Sequence, residues 1–119
     1  MLIFESLTAY QKSLLFIEKM YRTTSSWPKT ELYSLTDQLH RAATSIALNI
    51  AEGSSRSRKD FAHFLDIARG SCFETVAILS IAKSLHYISG PLYMSFYQDI
   101  EELIRIVQGL KKSLSVATR

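Results

Sequence analysis

The side chains best able to do chemistry crowd into one stretch, Asn49-Ile-Ala-Glu-Gly-Ser-Ser-Arg-Ser-Arg-Lys-Asp-Phe-Ala-His63. A glycine followed by serines and basic residues could cradle a phosphate. A nucleotide-hydrolysing loop, however, needs Gly-x-x-x-x-Gly-Lys-Ser/Thr after a strand, whereas Glu-Gly-Ser-Ser-Arg-Ser-Arg-Lys has other spacing and follows a helical pattern. Asp60-Phe-Ala-His63 has the acid-x-x-His spacing of a metal ligand pair. A di-metal carboxylate bundle requires two such pairs plus two more acids, all pointing inward. His63 instead falls roughly 160° around the helix from the apolar stripe of Phe61, Phe64 and Leu65. His40 and His86 stand apart from any metal-ligand spacing, and Cys72 lies on an apolar stripe. No catalytic residue, cofactor site or metal site is expected, so the protein reads as non-enzymatic.

Electrostatics remains. Arg56, Arg58 and Lys59 flank the start of a helix, where exposed N–H groups and the helix dipole favour an anion. These three residues are the candidate contact for the phosphates of RNA or DNA. Basic residues at a turn are also commonly just solvated, and the sequence leaves both readings open. The net charge of +3 and pI of about 9.1 suit an anionic partner without demanding one.

The elements that position this stretch follow from composition and period. A chain of 119 residues is expected to form a single domain, 1–119, with a real core. It is 47% hydrophobic and 21% charged, with four Gly and two Pro, which points to long helices with few turns. One cysteine excludes an internal disulfide framework and suits a reducing compartment. No secretory leader pattern and no apolar run of about 18 residues is visible. The expectation is a cytoplasmic protein with no membrane partner.

Leu7, Tyr10, Leu14, Ile17 and Tyr21 recur at helical steps and predict a first helix from Glu5 to about Thr24. Thr-Thr-Ser-Ser-Trp-Pro-Lys interrupts it. Pro28 suits the first turn of the next segment, with a kink near Ser34. Leu35, Leu39, Ala42, Ala43, Ile46 and Ile50 then carry a second stripe up to Gly53, expected as a C-terminal cap. Ser57 with Asp60 three residues on forms a variant capping box for a third helix running to Tyr87. Ile-Ser-Gly-Pro ends it, and Pro91 opens a fourth helix whose stripe reaches Leu114. Four amphipathic helices with short connections and no strand pattern predict an all-α fold, an antiparallel up-down-up-down four-helix bundle.

Two helical faces go beyond what a lone bundle needs. Gln38, Arg41, Ser45, Asn49 and Glu52 form a polar stripe on the second helix. Together with Arg69 they are expected as a structural polar cluster, Glu52 and Arg69 pairing across neighbouring helices. The third helix carries a second apolar face, with Ile67, Gly70, Glu74, Ile78, Ile81 and Leu85 as a candidate interface with further copies of the chain.

The segment Leu35 to Thr75 closely resembles the four-helix-bundle protein family of 23S rRNA intervening sequences. The resemblance is carried by Gln38 to Ile46, Asn49 to Gly53, and Phe61 to Ser71, in the family's order and spacing. Upstream, Trp27-Pro-Lys-Thr-Glu is similar to the family's Phe-Pro-x-x-Glu. Cys72-Phe73-Glu74 departs from the usual Leu-x-Glu but keeps the acid. The resemblance implies a bacterial, cytoplasmic bundle assembling as a ring, a homopentamer, of unassigned biochemical role. The accessory variability proteins of diversity-generating retroelements are similar in fold and form basic rings associated with nucleic acid. Two functions compete on this footing: an oligomer binding RNA or DNA backbone, and a protein-protein adaptor or scaffold ring without nucleic-acid contact.

Overall fold

The computed structural model describes residues 1–117. Its helices are α1 (Thr8–Thr24), α2 (Leu35–Ser54), α3 (Arg58–Ser84) and α4 (Gly90–Ala117), with short 3-10 turns at Ile3–Ser6 and Lys29–Glu31. Helix α2 packs on α1 and α3, and α4 packs on α3 and α1. Each helix thus lies beside its neighbours in sequence, the up-down-up-down arrangement, in a rod of 50 × 23 × 21 Å. Two long helices and the break after α1 are set by local chemistry. Pro28 is extended and opens a 3-10 turn, and Ser34 (φ −129°, ψ −106°) breaks the chain before α2 begins at Leu35. The turn α2–α3 is closed by Ser57, whose Oγ accepts the Asp60 N–H at 3.2 Å. Ser89 does the same for Leu92 at 3.1 Å, with Pro91 in the first turn of α4.

The end of α3 is a Schellman closure. Tyr87 N–H donates to Ala82 O at 2.9 Å and His86 N–H to Lys83 O at 3.0 Å. His86 therefore takes the left-handed conformation, φ 65°, usually given to glycine. Helix α3 stops at Ser84, three residues short of the expected Tyr87.

The core runs through Met20, Leu39, Ile46, Leu65, Leu79 and Phe96, all fully enclosed. Phe16 meets Phe96 edge to face at 5.5 Å. The α2 stripe is buried as expected. The α1 stripe is buried only in part: Leu7, Tyr10 and Ile17 pack against the core at its edge, Leu14 and Tyr21 are exposed, and the fully inward face is Ala9, Ser13, Phe16, Met20 and Thr24. Buried Ser13 and Thr24 return their hydroxyls to their own helix, donating to Tyr10 O and Tyr21 O at 2.6 and 3.3 Å. A hydroxyl satisfied in this way can be buried without leaving an unpaired polar group.

Gly53 also differs from expectation. The helix continues to Ser54, and no glycine among the described residues has a positive φ. Gly53 is buried because α3 crosses there: a Cβ would lie 2.7 Å from Phe64 Cβ and 2.8 Å from Phe61 Cδ1. It lets two helices approach rather than ending one.

Candidate nucleic-acid interface

At the end of the bundle where α2 passes into α3, the three basic residues behave differently. Arg56 donates to Glu52 Oε1 at 2.6 Å, one turn back, and its guanidinium lies 5.5 Å over the Phe64 ring. The hydrogen bond and charge of Glu52 hold the Arg56 pKa above its ordinary value. Arg56 is thus largely committed within the chain. Arg58 and Lys59, in the first turn of α3, are exposed and make no ion pair among the described residues. Antiparallel α4 ends beside them. Its Lys111 joins Arg58 and Lys59 in lining a groove of about 350 Å³, with Ala62, Leu114 and Ser115. Lys111 Nζ also donates to Asp66 on α3 at 2.8 Å, which fastens the two helices there. Lys111 was missed in the sequence because only the fold brings the end of α4 to the start of α3.

The polar cluster separates into local pairs. Asn49 Nδ2 donates to Ser45 O and Ser45 Oγ at 2.8 and 2.9 Å. Ser71 Oγ donates to Ser45 Oγ at 2.9 Å, the only one of these bonds that crosses from α3 to α2. Arg41 pairs with Asp37 at 2.9 Å on its own helix, and Gln38 is exposed. Glu52 and Arg69 do not pair. In antiparallel helices, Ser45 opposite Ser71 sets a register in which Glu52 lies near Phe64, more than a turn from Arg69. Arg69 instead lies 4.8 Å over the Phe73 ring.

On the second face of α3, Ile67, Gly70, Glu74, Ile81 and Leu85 are exposed, the three apolar ones by 40–49%. Ile78 is not on that free face. It is only 4% exposed, because its position on the wheel falls at the α2 edge and turns it into the core.

His63, His40 and Cys72 sit in three different surroundings. His63 is exposed beside Phe64, ring centroids 6.3 Å apart. His40 stacks on Tyr21 at 4.0 Å and meets Thr24 Oγ1 at 2.8 Å, and burial lowers its pKa despite the nearby Asp37. Cys72 is buried, and burial pushes its thiol up to about 12. Among the described residues no three His, Cys, Asp or Glu side chains gather as a metal group, and no helix is long and apolar enough to cross a membrane.

Fold and surface together define a small all-α four-helix bundle protein with a basic groove at one end. The chain belongs to the family of 23S rRNA-intervening sequence proteins, whose model matches residues 5–109. It is similar to a crystal structure of a protein of unknown function from the S23 ribosomal protein family of Bacteroides thetaiotaomicron. The two are 27% identical with a TM-score of 0.79, over 87% of this chain and 95% of that one. A comparison with curated proteins found no match.

Proposed function

We propose that this protein is a non-enzymatic, cytoplasmic, self-associating bundle that holds the backbone phosphates of RNA or DNA. One observation carries the reading: Arg58 and Lys59 from α3 and Lys111 from α4 converge on one groove, and the first two lack an acidic partner among the described residues. Self-association, as the ring of five that the family resemblance implies, draws support from the exposed apolar face of Ile67, Ile81 and Leu85. A ring repeats a modest groove and turns weak single contacts into avidity.

The test is a filter-binding titration of a structured RNA at rising salt, with light scattering to fix the subunit number. Binding should weaken steeply with salt as counterions are released, and Arg58→Glu with Lys59→Glu should flatten that dependence and reduce retention. No retention at low salt sinks the reading. An adaptor ring is the second reading. It is favoured by an apolar groove of about 600 Å³ at the same end, walled by Leu2, Ile3, Phe4, Leu48 and Ala51. Intact assembly without RNA retention would support it.

A further inference from the structure

We propose that the ligand is single-stranded nucleic acid and that it lies along the α3–α4 seam, with bases stacked on Phe73, Tyr97 and Tyr93. This rests on the reading above and deepens it by naming the form of the ligand and its path.

The basic groove is one end of a longer strip. Arg58, Ala62, Arg69, Phe73, Ser80 and Lys83 share a sector of about 80° on α3, and the strip from Arg58 to Lys83 is about 38 Å long at 1.5 Å per residue. At its far end a second groove, of about 330 Å³, opens between α3 and α4. Phe73, Tyr93 and Tyr97 stand along it over a floor that includes Val76, Ile100 and Ile104. Phe73 is 50% exposed and Tyr97 37%, large aromatic surfaces to leave in water. Tyr93 and Tyr97 are 6.1 Å apart.

Cations are interleaved with these rings. Arg69 lies 4.8 Å over Phe73 and Lys83 5.1 Å over Tyr93, and neither is in an ion pair among the described residues. The strip therefore carries Arg58, Lys59, Arg69, Lys83 and Lys111 against two acids, Asp66 and Glu101, of which Asp66 is taken by Lys111. Exposed rings, two of the three beside a positive charge, match a strand whose bases are unpaired and whose phosphates run alongside. A duplex keeps its base faces inside its own stack and could use only the charges.

The experiment is a fluorescence-anisotropy titration at low salt with a labelled oligouridylate of about 12 nucleotides and, separately, its duplex with oligoadenylate. The proteins compared are the unaltered chain, Phe73→Leu with Tyr97→Leu, and Arg58→Glu with Lys59→Glu. Leucine keeps an apolar side chain but offers no ring face. The leucine pair should weaken single-strand binding by about tenfold or more and leave duplex affinity and light-scattering mass unchanged. Unchanged single-strand affinity in the leucine pair, with loss in the glutamate pair, overturns this inference and leaves the phosphate reading standing. A changed mass in the leucine pair overturns it too, making the groove a contact between copies. No binding of either probe by the unaltered chain overturns both.

Discussion

Replacing Gly53 with alanine sets two effects of opposite sign against each other. Alanine is the better helix former by about 1 kcal/mol, and Gly53 lies within α2, so propensity alone makes Gly53→Ala stabilising. Packing opposes it. The new methyl would lie 2.7 Å from Phe64 Cβ, and ordinary contact begins near 3.4 Å, so the helices must part by about 0.7 Å at that point. Phe64 Cβ is tied to the α3 backbone and cannot swing aside as a side-chain tip could. Overpacking of this kind costs about 1–3 kcal/mol, which after the propensity gain of about 1 kcal/mol leaves a net loss of up to about 2 kcal/mol. With a urea m-value of about 1–3 kcal/mol/M, the unfolding midpoint should fall by up to about 2 M. Circular dichroism at 222 nm through a urea series reads this directly. A midpoint above that of the unaltered protein would falsify the claim that Gly53 is there for helix approach.

Gly109 and Gly70 have no atom within 4 Å of where a Cβ would stand. Gly109→Ala should therefore raise stability by about 1 kcal/mol in the same urea series. Gly70→Ala should lower the light-scattering mass at low concentration if the α3 face meets another copy, and leave it unchanged if that face is free. His86→Gly should stabilise by about 1 kcal/mol, since glycine adopts a φ of 65° without the steric penalty of a Cβ; a lowered melting temperature would contradict this. For His40 the folded pKa lies below the unfolded 6.5, so the unfolded chain binds the proton more readily. Its contribution is present above pH 6.5 and lost as pH falls through the folded pKa; His40→Gln should flatten the urea midpoint between about pH 7 and 5. A thiol at about 12 has roughly one part in ten thousand as thiolate at pH 8. Cys72 should react with a thiol reagent only through opening of the fold, more slowly than the unfolded chain, and prompt labelling of the native protein would refute its burial.

The parts of the fold written in local signals were readable from the sequence, and the parts that depend on register were not. The α2 stripe of Leu35, Leu39, Ile46 and Ile50 is unambiguous because each position is aliphatic. In α1 the inward face includes Ser13 and Thr24, whose hydroxyls are satisfied within the helix, so polarity concealed burial. Gly53 ends an apolar run and looks like a cap. Only the crossing of Phe61 and Phe64 shows why no side chain stands there. Among the candidate site residues, Arg58 and Lys59 could be read from their place at a helix start. Arg56 looked equivalent to them, although the Glu52 one turn earlier claims it. Lys111 and the aromatic groove had no local signal, since each needs α3 and α4 laid side by side.

Helix α3 has three surfaces, and their separation bears on how the molecule could work. One side, through Leu65, Cys72 and Leu79, is core. A second, through Arg58, Arg69, Phe73 and Lys83, faces the α4 seam. The third, through Ile67, Ile81 and Leu85, is apolar and open. On the wheel the third begins about 60° or more beyond the seam, so a ring closed through it would leave most of each seam uncovered. Seams on successive subunits would then present separate strips of cations and rings, and the affinity of each would fall with salt. Their joint affinity would depend on whether one strand can pass from strip to strip, which makes subunit number and ligand length coupled variables.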